Sequence, residues 1–187
     1  MNFSEPKKIP DGRYFVNVTG DSSSGRVLKQ LNNVTLNTPF AEGDTVTISL
    51  PSAAVSQIKE VDLEILRGAE INSTTWFQKE LKSQTLDAAF TKSLSDTCMN
   101  ISKMKNQDVK AYSSNKEIVD PTTFMSDTVC DVVIELVGIW FMKKTFGTGW
   151  RLVQMREKFL PKPKWNEQYL FQDEEQQQEG DEEEDYP

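Results

Sequence analysis

The sequence predicts a mainly β fold with one or two helices, on three observations. Short runs rich in β-branched and aromatic residues alternate with turn residues over the first fifty positions. One segment, 73–94, changes to a helical period. Residues 128–156 then read as two apolar strands connected through KKTFGTG, the pattern of a long hairpin.

Residues 1–12 (MNFSEPKKIPDG) form a polar arm that closes on the turn signal Asp11-Gly12. Strands are expected at 13–19 (RYFVNVT), 26–31 (RVLKQL), 34–38 (VTLNT) and 45–50 (TVTISL). They are separated by GDSSSG, by Asn32-Asn33 and by the turn cluster around Pro39, Gly43 and Asp44. VDLEIL at 61–66 alternates apolar and acidic residues, as a half-buried strand does. Segment 73–94 repeats Phe77, Leu81, Leu86, Ala89, Phe90 and Leu94 behind a Ser/Thr cap, which makes it the best helix of the chain. Residues 95–127 are polar and mixed, with a short strand at 109–112 beside the turn SSNK and a loop over 113–127. Residues 128–142 (TVCDVVIELVGIWFM) are the most strand-like stretch; a wide, basic, aromatic connection leads to a partner strand at 150–156. Short strands, one or two helices and a final hairpin suit a partly open barrel of the OB type. That domain is expected at 13–160, followed by an extended linker at 161–172.

The end of the chain alters the reading of its charge. Residues 173–187, DEEQQQEGDEEEDYP, hold nine carboxylates and no basic residue. The whole chain carries 21 basic and 29 acidic residues, a net charge of −8. Without the tail, 20 acids face all 21 bases, so the body is near +1. The expected layout is a neutral domain with an attached, disordered polyanion, in which Asp181, Glu182, Glu183, Glu184, Asp185 and Tyr186 form a partner-binding end.

Several functions are disfavoured. The chain has no histidine, the commonest general base and metal ligand. Its two cysteines, Cys98 and Cys130, stand far apart and are expected to be free thiols of the core. GDSSSG lacks both the GxSxG elbow and the GK[ST] ending of a phosphate loop. Asp62, Glu64, Asp127, Asp131 and Glu135 are expected on solvated strand faces rather than as catalytic pairs. Neither an enzyme, a metal nor a cofactor is expected. No run approaches about 18 apolar residues, and MNFSEPKK has no apolar leader core. A soluble, intracellular protein without a membrane partner is therefore expected.

Single-strand binding fits better, because it needs flat π-surfaces for bases and cations that follow phosphates. Lys143, Lys144, Phe146, Trp150 and Arg151 lie close together, with Trp140 and Phe141 just before them. Arg13, Tyr14 and Phe15 repeat the pattern on the first strand, and Tyr112 stands beside Lys110. Strand faces alternate, so the sequence leaves Trp140, Trp150 and Tyr112 open between core and surface. Phe146, placed in the connection, and the lysines are expected to be exposed, whereas Trp76 and Phe77 are expected in the core.

The segment 135–154, ELVGIWFMKKTFGTGWRLVQ, resembles the C-terminal core of single-stranded DNA-binding proteins of large eukaryotic DNA viruses. The ending DEEEDYP resembles the acidic tails of bacterial and phage single-strand binding proteins. The resemblance implies an OB fold without enzymatic activity, binding of single-stranded DNA with little sequence preference, and a tail that recruits replication or recombination proteins. It implies localisation at a site of viral DNA replication in the host cell. By the same resemblance, Trp140, Lys143, Lys144, Phe146, Trp150 and Arg151 are where DNA contacts are sought. The competing reading is an acidic-tailed protein-interaction factor, a chaperone of basic proteins or a transcription accessory, that does not bind DNA. The sequence leaves the oligomeric state open.

Overall fold

The computed structural model describes residues 1–103 and 109–158. The expected linker and the tail, with Asp181, Glu182, Glu183, Glu184, Asp185 and Tyr186, lie outside the described residues. Among the described residues the architecture is mainly β with three α-helices, a partly closed and OB-like sheet. Strands β1 (Asn2–Phe3) and β2 (Lys7–Lys8) belong to the arm, and β3 (Tyr14–Thr19), β4 (Val27–Leu36) and β5 (Thr45–Ser49) follow. Helices α1 (Ser52–Ile71), α2 (Ser73–Phe77) and α3 (Ser83–Ala89) come next. Then come β6 (Phe90–Thr91), β7 (Cys98–Ser102), β8 (Lys110–Tyr112), β9 (Ile118–Val119), β10 (Val129–Met142) and β11 (Thr145–Glu157).

Strands β10, β4, β5, β7 and β11 pair in sequence around a ring that β10 and β11 close. The weak point is the parallel β7–β11 contact, held among the described residues by the pair Arg151↔Ser102. Val34, Leu36, Val46, Ile48, Met99, Ile101, Ile134, Leu136 and Leu152 all belong to one buried apolar cluster. Each such aliphatic side chain contributes about 1.5–3 kcal/mol when removed from water.

Three expectations are corrected. Residues 61–66 are helical, in the middle of α1. Their alternation covers too few residues to separate the two periods. Buried Val61 and Ile65 are four apart and share the helix face with Ala54, Ile58, Gly68 and Ala69, while Leu63 is exposed. Segment 73–94 is not one helix: Gln78 takes a left-handed backbone, and α2 and α3 flank the break. The reason lies in the aromatic packing. Phe77 and Phe90 would lie about 20 Å apart along a continuous helix, yet their ring centroids sit 5.3 and 5.2 Å from that of Phe146. Strand β7, in the stretch read as polar and mixed, turns Met99 and Ile101 inward and Cys98, Asn100 and Ser102 outward.

Smaller departures follow from register. Asn32-Asn33 does not divide two strands; it bulges within β4, where Asn33 adopts φ 56° and its N–H donates to Asp131 Oδ1 at 3.0 Å. The β10–β11 connection is tight rather than wide, because Met142 already pairs with Thr145 and leaves Lys143-Lys144 as a two-residue turn. Val137 is an extra residue in β10, and Val153 one in β11. The first of these bulges lies beside Gly138, where an added Cβ would stand 2.3 Å from the Val16 carbonyl oxygen and 2.5 Å from the Phe15 ring.

Gly138→Ala is therefore expected to destabilise the domain by about 1–3 kcal/mol, since backbone blocks the new methyl. At Gly149 an added Cβ meets nothing nearer than 3.5 Å. Gly149→Ala should leave stability unchanged or raise it by up to about 1 kcal/mol. Urea unfolding of the two variants checks the contrast.

Candidate nucleic-acid interface

The strand alternation divides the expected binding residues among three environments. Phe146 and Trp150 are core residues, 0% and 4% exposed, so their expected contact with DNA is withdrawn. Strand β11 begins at Thr145, so Phe146 is not in the turn, and its face points inward with Trp150 and Leu152. The Trp150 indole donates to Ser93 Oγ and Thr148 Oγ1, both at 3.0 Å. Beneath these, Asp62 accepts from the Ser93 N–H at 2.9 Å and from its hydroxyl at 2.5 Å. Burial pushes the Asp62 carboxyl up, against the Ser93 hydrogen bonds and the nearby Lys92 charge.

The second environment is a groove of about 1050 Å³ at the tip of the β10–β11 hairpin. Tyr14, Lys143 and Lys144 meet there, together with Lys79, which sequence reasoning missed. Sequence distance hid Lys79: it follows the left-handed Gln78, which turns the chain from α2 back toward the hairpin. Lys143 also has a positive φ, 50°, at a turn position that Asn or Gly adopts more readily. Trp76 and Phe77 pack edge-on against Phe141 in the wall, with centroids 5.7 and 5.5 Å apart. Tyr14 is 51% exposed and lines the groove. Glu5 is the acid among the lining residues. Among the described residues, Lys79, Lys143 and Lys144 form no ion pair. Arg13, just before Tyr14, is instead tied to Asp11, whose carboxylate accepts from Arg13 Nε at 2.7 Å and from its backbone N–H at 3.0 Å.

The third environment is the outer face of β10 and β11, where Trp140 and Arg151 are found, with Tyr112 of the neighbouring β8 beside Arg156. Trp140 is half-buried, and its indole donates to the Thr148 carbonyl at 3.1 Å. Arg151 Nη2 and Arg26 Nη2 each donate to Glu135 Oε2 at 2.5 Å, and Arg26 Nε donates to Oε1 at 3.0 Å. Tyr112 lies near the pair Arg156–Asp131, made at 2.5 Å, which Lys158 joins at 3.6 Å. Asp131 and Glu135 are thus buried counter-ions, not the solvated charges the sequence suggested. The Arg26 hydrogen bond, opposed by burial and reinforced by Arg151, holds the Glu135 carboxyl below its usual range. Burial pushes Asp131 up, but Arg156, the Asn33 N–H and Lys158 together hold it below its usual value.

The remaining candidates for chemistry are quiet. Burial pushes the Cys130 thiol up to about 12, which leaves no thiolate, and Cys98 is half-exposed rather than a core residue. No group of three metal-ligating side chains occurs among the described residues. No helix among them is long and apolar enough to cross a membrane.

The model of a family of unknown function (DUF5871) matches residues 32–173. No curated protein matches the chain. Among solved structures, the chain is similar to the single-stranded DNA-binding protein from bacteriophage Enc34 in complex with ssDNA, at 13% identity and a TM-score of 0.48 over 85% of this chain and 97% of the other. The same phage protein without DNA gives 14% identity and a TM-score of 0.47 over 87% and 93% of the two chains. Its C-terminal truncation gives 13% and 0.46 over 87% and 98%.

The buried carboxylates give opposite pH slopes. Glu135 and Asp131 are lowered by folding. Each contributes stability that is present above its ordinary value, 4.5 or 3.8, and lost as pH falls through the folded one. Asp62 is raised, so its contribution is complete below 3.8 and is lost as pH rises through the folded value. In urea unfolding, the wild-type advantage over Glu135→Gln should shrink as pH falls below 4.5. Its standing against Asp62→Asn should instead worsen as pH rises above 3.8. Differences that do not vary with pH would contradict both assignments.

Proposed function

The chain belongs to the family of unknown function DUF5871, a membership that assigns no activity, and from its geometry we propose that it binds single-stranded DNA without sequence preference. The observation that carries this reading is the hairpin-tip groove. Three lysines free of ion pairs among the described residues surround a half-exposed tyrosine and an aromatic wall. Lysines held by no carboxylate can follow phosphates without breaking an existing bond. Stacking a base on one exposed aromatic contributes about 1–3 kcal/mol. Such contacts read charge and π-surface, which every base and phosphate offers, and so discriminate little between sequences.

A role in DNA replication or recombination follows from coating single strands, and the acidic tail has two parts in it. Its nine carboxylates compete in cis for the basic groove of a body that is itself near +1. Once displaced by DNA, the tail, with Tyr186 near its end, is offered to replication or recombination proteins.

Titration of a labelled oligothymidine by fluorescence anisotropy tests the reading. Binding is expected at low salt and should weaken as salt rises. Lys143→Ala/Lys144→Ala should weaken it and flatten the log–log salt dependence by about 1.4, two contacts at roughly 0.7 each. Tyr14→Ala should cost about 1–3 kcal/mol. No binding at low salt, even by a chain ending at Gln172, would refute the proposal. That result combined with loss of a protein partner on truncation would favour the protein-interaction reading.

The tail makes a separate prediction. A chain ending at Gln172 should bind the oligonucleotide more tightly than the full chain. The gain should be largest at low salt, where the self-competing polyanion is least screened. Equal affinities across the salt series would remove the tail from the mechanism.

A further inference from the structure

On the reading that the tip groove holds single-stranded DNA, we infer that a second stretch of the same strand runs along the outer face of β10 and β11, from Trp140 to Arg156. The register lays out this face row by row. Directly paired residues share a face of the sheet. Phe15, Trp140 and Gly147 form one row, with Lys7 beside Phe15. Asn17, Gly138 and Gly149 form the next. Leu28, Glu135 and Arg151 follow, then Gln30, Val133 and Gln154, and finally Asp131, Arg156 and Tyr112. From Trp140 to Asp131 the face extends about 30 Å.

Two features make this face suited to a polyanion with bases attached. First, the glycine rows let aromatic rings lie against the sheet. An added Cβ at Gly147 would stand 2.6 Å from the Trp140 ring, and one at Gly138 2.5 Å from Phe15. Both rings are thereby held by backbone on one side and remain partly open on the other. Second, the charges are sorted by depth. The carboxylates of Glu135 and Asp131 are 9% and 8% exposed, while Arg26, Arg151, Arg156 and Lys158 are 33–44% exposed. Each carboxylate serves two cations, so each cluster has a net charge of +1 and shows solvent its positive members. A guanidinium has five N–H groups in a rigid fork. Glu135 takes two from Arg26 and one from Arg151, which leaves donors for phosphate. Glu135 and Asp131 are positioning residues in this scheme: they fix the guanidinium planes that a phosphate meets.

The track predicts a dependence on strand length that the groove alone does not. The experiment uses the full chain with labelled oligothymidines of about 5 and about 16 nucleotides, the span of single OB-fold site sizes. The variant is Arg26→Gln/Arg156→Gln. Arg151 remains on Glu135 and Lys158 on Asp131, so neither carboxylate is left alone. For the long strand, binding should weaken roughly threefold or more and the salt slope should fall by about 1.4. For the short strand, affinity and slope should not change. The inference is overturned if wild type binds both strands and the arginine variant matches it on the long one. It is equally overturned if the arginine variant loses affinity for the short strand by the same factor, since that would trace the loss to the fold. Failure of wild type to bind either strand would instead sink the groove reading on which the track rests.

Discussion

The long antiparallel ladder of β10 and β11 is the constraint to which the rest of the molecule is fitted. It runs from Cys130↔Glu157 to Met142↔Thr145. On one side β10 pairs with β4 and β3; on the other β11 pairs with β6, β7 and β8. Its inner face supplies Ile134, Leu136, Phe146, Trp150 and Leu152 to the core. A one-residue slip would turn that whole set outward and bury the charged rows. The two bulges, at Val137 and Val153, reset the faces at fixed points, so inward residues stay inward along the whole pair.

The same ladder explains why charge is buried where it is. Glu135 and Asp131 face outward from the barrel, but flanking arginines cover them, so they are shielded without entering the core. Taking one partner from a buried ion pair commonly costs about 3–5 kcal/mol, because the remaining charge is stranded. Shared carboxylates lessen that hazard: each keeps one cation when the other is lost or drawn to a ligand. The arrangement also separates two kinds of cation. Arginines, with planar forks, sit on the rigid sheet where carboxylates orient them. Lysines, compact and flexible, occupy the turn and the break after α2, where no carboxylate among the described residues pairs with them.

Much of the β framework could be read from the sequence because it alternates plainly. The strands beginning near Tyr14, Val27 and Thr45, the short one ending at Tyr112 and the final hairpin stand where period and turn residues put them. What could not be read depended on distant partners. In Val61–Leu66 of α1 both periods fit, and only burial of Ile58, Val61 and Ile65 on one face decides for the helix. The break after Phe77 reflects the demand of Phe146 for two aromatic neighbours far apart in sequence. The site divided in the same way. Tyr14, Lys143 and Lys144 were named and converge, but Lys79, Arg26 and Arg156 carry no local signal: their meaning comes from Lys143, Glu135 and Asp131 across the fold.

The burial of Phe146 and Trp150 has a consequence for how this domain could hold a strand. An aromatic can serve as core or as stacking surface, not both at once. The hairpin resolves the conflict by alternation: Phe141, Phe146 and Trp150 go inward, while Trp140 goes outward onto Gly147. Of the inward rings Phe141 lines the tip groove, with Phe146 stacked behind it, and the turn lysines line the same groove. The outward ring lies flat because the opposite strand offers glycine, where any side chain would lift it off the sheet. The glycines of the FGTG segment, which the sequence presents as turn residues, are strand residues, and the missing side chain of Gly147 makes room for the Trp140 ring. In this chain, the cluster of basic and aromatic residues around the final hairpin is therefore two surfaces back to back, one of which holds the fold together so that the other can remain open.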